Sequence, residues 1–330
     1  MPVRRIASLR FRSIACACAF VLAIVAGGCG DSRRVPRIEP ELPNWQEPYQ
    51  GMDGLRLHAF DTGSMLVPEG AVFHGGSWFH RRRLDVPAFV VELPSSDLVV
   101  FDTGLGEQAE SDPRGYVGFL LATLNGIEMP AGAGLAVQMK AAGLDPARVR
   151  YVVLSHLHFD HTGAMRSFPN ATIVTGRGEK DEALAAKGFF DAFHEQDWEK
   201  AGRWVEIDYA AGQPYATFTS HHDLLGDGTI VLVDVHGHTR GSQAMIVRAP
   251  GGPILLTGDA AWADQSWLYA ATPVSADDMD AWWEQIWRIK KFAQLAPRLL
   301  VVAGHDLARI AKEKRDDVVV HALPGAAASP

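Results

Sequence analysis

The chain has 330 residues, 47% of them hydrophobic, and a formal net charge of −8. Its acidic balance lacks the clustered positive charge that phosphate contacts need, which excludes a nucleic-acid binder. All three cysteines, Cys16, Cys18 and Cys29, precede residue 30, so the rest of the chain offers neither a disulfide nor a thiolate metal ligand.

Residues 1–28 have the make-up of an export signal. Arg4, Arg5, Arg10 and Arg12 precede an apolar run over 14–26, and no acidic residue comes before Asp31. That run is too short for a membrane-spanning helix and suits the core of a signal peptide. It ends in Ala26-Gly27-Gly28-Cys29, which resembles the lipobox of bacterial lipoproteins, with Ala26 where leucine is usual. The resemblance implies a lipid anchor on Cys29 and an exported, periplasmic protein held to the membrane. Loss of 1–28 removes four arginines and no acid, taking the charge from −8 to −12. Residues 29–50 carry Pro36, Pro40, Pro43 and Pro48 and read as a tether or N-terminal arm.

One hydrolase-sized domain is expected over 51–320, followed by a flexible tail over 321–330. Short runs bounded by glycine or proline predict strands over 55–60, 88–93 and 98–101. A helix over 134–142 leads to a strand over 149–154, and further strands fit 172–175, 204–207, 230–235, 244–247 and 254–257. The clearest helix covers 278–295, opened by Asp277 and Asp278 and closed before Pro297, and it feeds a strand over 299–302. Grouped strands with helices between and after them suit an α/β fold of two sheets covered by helices.

The chemistry concentrates at strand ends. After the apolar run 151–154 comes Ser155-His156-Leu157-His158-Phe159-Asp160-His161-Thr162-Gly163. Imidazole and carboxylate are ligands for zinc and similar divalent ions. Three later strands end in the same way: 231–235 runs into Gly237-His238-Thr239, 254–257 into Gly258-Asp259, and 299–302 into Gly304-His305-Asp306. Four strand ends with glycine beside a ligand-type residue indicate side chains converging on one sheet edge. Asp102, in Asp102-Thr103-Gly104 after another apolar strand, is either a turn cap or the acceptor of a proton from a ligand imidazole. His236, His221 and His222 read as loop or surface residues, and Arg81-Arg82-Arg83 as a solvated charge run.

These ordered motifs resemble the metallo-β-lactamase superfamily and, within it, most resemble the N-acyl-homoserine lactonases. The resemblance implies an αββα sandwich of two mixed sheets flanked by helices, with two divalent metal ions, usually zinc. Carried over by position, His156, His158 and His238 hold one ion, Asp160, His161 and His305 the other, and Asp259 bridges them. Two ions can share a hydroxide formed from an acidified water, which attacks a carbonyl. Asp160 then passes the proton to the leaving oxygen as the catalytic acid–base. The implied activity opens small-molecule lactones or related carboxylic esters. Lactonases commonly carry a tyrosine shortly after the bridging aspartate, whereas Asp259 is followed here by Ala260-Ala261-Trp262, and indole donates one N–H but does not titrate. Phe73, Trp78, Phe159, Trp262 and Trp267 are candidates for the wall of an acyl-chain pocket. The same centre can attack phosphotriesters, and a non-catalytic metal-binding lipoprotein is the alternative from another class.

Overall fold

The computed structural model describes residues 33–186, 192–321 and 323. The expected export segment, Cys29 and residues 324–330 lie outside the described residues. From Arg34 onward the chain forms one compact unit.

The first sheet is built from β1 (Arg56–Pro68), β2 (Arg81–Glu92), β3 (Leu98–Phe101), β4 (Val149–Val153), β5 (Thr172–Gly176) and β6 (Arg203–Ile207). The second contains β7 (Gln213–Tyr215), β8 (Phe218–Asp223), β9 (Ile230–Asp234), β10 (Gln243–Val247), β11 (Ile254–Leu256) and β12 (Leu300–Val302). A last strand, β13 (Val318–His321), returns to the first sheet and pairs parallel to β1. The sheet orders are β13-β1-β2-β3-β4-β5-β6 and β12-β11-β10-β9-β8-β7. Both sheets are mixed, because β3 to β6 run parallel beside the antiparallel β1–β2 pair and β11–β12 is parallel beside antiparallel neighbours.

The uniformly apolar strands are explained by burial on both faces. Val99 and Phe101 of β3 meet Ile230 and Leu232 of β9 in the layer between the sheets. Their chain neighbours Leu98 and Val100 turn the other way and pack on Leu135 and Met139 of the helix Leu135–Ala141. Val231 and Val233 likewise face Trp282, Ile286, Ile289 and Phe292 of the helix Met279–Leu295. Each such side chain, fully buried, contributes about 1.5–3 kcal/mol. The long helix is capped by Asp278, whose carboxylate accepts from the Asp280 and Ala281 N–H groups. The result is the expected helix–sheet–sheet–helix layering.

The segments at both ends of the domain pack against it. Residues 42–50 form a packed arm, since Trp45 meets Phe292 and Tyr215 edge-on at 5.0 and 5.8 Å and the Tyr49 hydroxyl donates to Ala249 O at 2.7 Å. His321, expected to open a flexible tail, ends β13 and stacks on Phe60 at 4.2 Å. No helix among the described residues is long and apolar enough to cross a membrane.

Candidate metal centre

Strands β3, β4, β9, β11 and β12 deliver Asp102, residues 155–161, His238, Asp259 and His305 to one edge of the sandwich. The pairings explain this convergence. Strands β3 and β4 are parallel, as are β11 and β12, and β9 runs with β11 because both are antiparallel to β10. Gln243 ties the sheets together beside that edge, its Nε2 donating to Leu154 O and its backbone N–H to Ser155 O, at 2.8 and 2.9 Å.

The seven expected ligands all meet there, and Asp259 divides them. Its Oδ2 lies 3.4 Å from His238 Nε2 and 3.9 Å from His156 Nε2, while His158 Nδ1 stands 2.9 Å from His156 Nε2 and 3.2 Å from His238 Nε2. Its Oδ1 lies 3.1 Å from His305 Nε2 and 3.4 Å from His161 Nε2. Asp160 Oδ2 closes that second group at 3.5 Å from His305 Nε2 and 3.6 Å from His161 Nε2. Among the described residues, His156–His158–His238, His156–His161–Asp259 and Asp160–His161–His305 each bring their ligand atoms within 4.8 Å of one another.

Asp102 receives three donors and so does more than cap a turn. Ser155 N–H and Oγ–H donate to its two oxygens at 2.7 and 2.8 Å, and His161 Nδ1 lies 2.8 Å from Oδ2. Its φ of 54° puts it in the left-handed region, which Asp tolerates better than most residues. Ser155, which sequence reasoning passed over, also touches His156 Nδ1 at 3.0 Å. The His305 ring is set by the backbone carbonyl of Asp85, 2.8 Å from Nδ1. At Gly304 a Cβ would stand 2.6 Å from Gly258 O and 2.7 Å from Asp259 Oδ1. At Gly258, with φ 51°, it would collide with the Ser155 side chain. The glycines beside the ligands are therefore needed for close approach.

Burial and the neighbouring imidazoles hold His156 and His158 well below the ordinary histidine value, so both rings are neutral. Burial also works against a charged His161, but the carboxylates of Asp160, Asp102 and Asp259 outweigh it and raise that ring well above its ordinary value. Burial would raise Asp259, yet His305 and His161 hold its carboxyl well below the usual range. His156, His158 and Asp259 are thus already in the forms that bind metal, whereas His161, and His305, which burial lowers but Asp259 and Asp160 raise, would give up a ring proton to an ion. The buried His161 Nε2 and Asp259 Oδ1 have no hydrogen-bond partner in the protein. They stand 3.4 Å apart in a charge contact without hydrogen-bond geometry, and a cation between them would satisfy both. The residues thus fit divalent metal ions.

Around this centre, Phe159 joins Phe73, Val117, Leu121 and Trp262 in one apolar cluster. The Trp262 ring stands edge-on to His238 and His305 at 5.7 and 6.3 Å, and its indole N–H is buried without a partner. Trp267 is not brought to this cluster. It lies in the layer of the helix Met279–Leu295, where its N–H donates to Asp264 at 3.2 Å. Trp78, 43% exposed, packs beside Gly70 and is likewise absent from the cluster. Phe193, unforeseen from sequence, lays its ring 4.7 Å from that of His158. His236 pairs with Asp234, as expected of a loop residue. Arg83 is exposed, as a solvated charge should be, yet it reaches Asp61, Asp85 and Ser64, and the half-buried Arg82 reaches Gln265 and Asp306.

Residues 81–305 match the family described as the metallo-beta-lactamase superfamily. The N-acyl homoserine lactonase AttM of Azorhizobium caulinodans is 33% identical over 261 residues, which span 77% of this chain and 94% of that protein. A solved N-acyl homoserine lactone hydrolase with the product N-hexanoyl-L-homoserine bound at its catalytic metal center superposes with a TM-score of 0.66 at 20% identity, covering 80% of this chain and 97% of that one. AidC, a dizinc quorum-quenching lactonase, superposes with a TM-score of 0.54 at 15% identity over 77% and 88% of the two chains. Sandwich, ligand edge and extended sequence match agree: this chain belongs to the metallo-β-lactamase superfamily and is a hydrolase of that fold.

Proposed function

We propose that the protein is a dinuclear metallohydrolase that opens lactone rings, N-acyl-homoserine-lactone-like ones foremost, with related carboxylic esters as further substrates. The observation that carries this is the setting of Asp259 between two ligand groups, with Oδ2 3.4 Å from both His238 Nε2 and His305 Nε2 and Oδ1 3.1 Å from His305 Nε2. His156, His158 and His238 hold one ion, Asp160, His161 and His305 the other, with Asp259 common to both and zinc as the metal. Two such ions supply an acidified water and polarise a carbonyl.

The protein's own groups then have defined tasks. Asp160 carries the proton of the attacking water to the leaving oxygen. Trp262 offers its buried, unpaired N–H to the substrate carbonyl. The apolar cluster of Phe73, Val117, Leu121 and Phe159 accommodates the acyl chain. The lactonase relatives, matched over nearly their whole length, support this substrate class.

The test is hydrolysis by the zinc-loaded protein across acyl-homoserine lactones, simple lactones, aryl esters, phosphotriesters and β-lactams. Lactone opening with two ions per chain, lost on chelation and restored by zinc, is expected. Hydrolysis confined to phosphotriesters refutes the lactone assignment, and a protein that binds no metal refutes the mechanism.

A further inference from the structure

Glu179 opens the helix Glu179–Ala185, directly after β5, and is fully buried without touching the metal-ligand atoms. Its Oε1 accepts the Leu157 N–H at 2.8 Å, from the residue between His156 and His158. Its Oε2 accepts the Thr239 hydroxyl at 2.8 Å and the Gly241 N–H at 2.9 Å, from the turn that carries His238. One turn comes from the first sheet and the other from the second. All three partners are donors aimed at one side chain, and only a carboxylate presents acceptors to all of them. The contact is as close as backbones allow: a Cβ on Gly241 would stand 2.6 Å from Glu179 Cβ. One helical turn later, Glu182 accepts the Arg240 N–H at 2.7 Å from a more exposed position.

We propose that Glu179 is a positioning residue whose carboxylate fastens the turn of His156 and His158 to the turn of His238 and so sets the spacing of that one metal subsite. This rests on the dinuclear assignment above. The subsite of Asp160, His161 and His305 is oriented instead by Asp102 and the Asp85 carbonyl; Asp102 also reaches His156 through Ser155, whereas the Glu179 carboxylate bonds only to the turns of His156–His158 and His238. Loss of a group that orients metal ligands costs about 10- to 100-fold in affinity.

The experiment is a competition titration of metal-depleted protein with Zn²⁺ against a chromophoric chelator, on the wild type and on Glu179→Gln, Thr239→Val and Glu182→Gln. The wild type is expected to bind two ions. Glu179→Gln should bind one with wild-type affinity and the other about 10- to 100-fold more weakly. Thr239→Val should weaken the same ion by a smaller factor, and Glu182→Gln should change neither. Equal weakening of both ions in Glu179→Gln, no change in either, or the same loss in Glu182→Gln overturns the proposal. If Glu179→Gln does not fold, selective weakening in Thr239→Val supports it and unselective or absent weakening overturns it. A wild type that binds fewer than two ions removes the dinuclear assignment itself, and this proposal with it.

Discussion

Replacing Asp102 by Asn tests whether the carboxylate behind His161 governs one metal subsite. Asparagine tolerates the left-handed backbone at φ 54°, whereas alanine there adds about 1–2 kcal/mol of strain unrelated to the question. The amide keeps an acceptor for the Ser155 N–H but turns an NH₂ towards the His161 Nδ1 proton now held at 2.8 Å. The same NH₂ can donate to the Ser155 hydroxyl oxygen, so the loss that nothing compensates is the bond to His161. A hydrogen bond to a charged group contributes about 1.5–3 kcal/mol, or about 10- to 150-fold in an equilibrium constant. Zn²⁺ competition titration should therefore show the ion of Asp160, His161 and His305 weakened by one to two orders of magnitude, with the other ion little changed. Urea unfolding of the metal-free variant should show a loss of about 1.5–3 kcal/mol. Both affinities within twofold of the wild type, together with unchanged stability, would refute this account of Asp102.

Gly304→Ala should abolish tight metal binding with the fold retained by circular dichroism, since its Cβ would press on the Asp259 carboxylate. Overpacking of this kind costs about 1–3 kcal/mol, and two tightly bound ions in the variant contradict it. Trp262→Phe keeps the ring but not the N–H, so kcat should fall about tenfold, the equivalent of about 1.4 kcal/mol, while metal content stays at the wild-type value. An unchanged kcat denies the indole its contact with substrate. Burial lowers His58 and His321, whose ring nitrogens meet at 3.1 Å, so both are neutral in the fold while the unfolded chain takes up protons near the ordinary value of 6.5. Stability held by these rings is present above that pH and lost below it. The protection factors of the β13 amides, corrected for the intrinsic slowing of exchange in acid, should fall from about pH 7.5 to 5.5, and the same fall in His321→Gln would exclude this cause. Cys29→Ser should move the protein from the membrane fraction to the soluble exported fraction, and an unaltered distribution argues against the lipid anchor.

The ligands were legible because each follows an apolar strand and a glycine constrains the turn beside it, a pattern carried by local sequence. The hairpin of β1 and β2 was only half visible. Both strands continue far beyond the expected segments, through Arg81-Arg82-Arg83 and across Pro87, which argues against a central strand. Pro87 is tolerated because β3 pairs only with 89–92, leaving β2 an edge at that point. The aromatic wall was less legible still. Trp262 and Trp267 are five positions apart, but Trp262 precedes the short helix Asp264–Leu268 and stays at the ligand edge, whereas Trp267 lies on that helix and packs in the outer layer. Glu179 ends a strand with the same glycine-then-acid pattern as Asp259, but its partners lie on two distant turns that no local spacing reveals.

The seam at Gln243 has a consequence for how the protein reaches its working state. Four of the expected ligands arrive with the first sheet and three with the second, so each expected subsite is completed only when both sheets meet. Contacts between residues this distant in sequence form late and slowly. Under the two-ion proposal, metal capture would report completed assembly: zinc added during refolding should bind tightly only after the sheets have docked, and stabilise the finished sandwich by mass action.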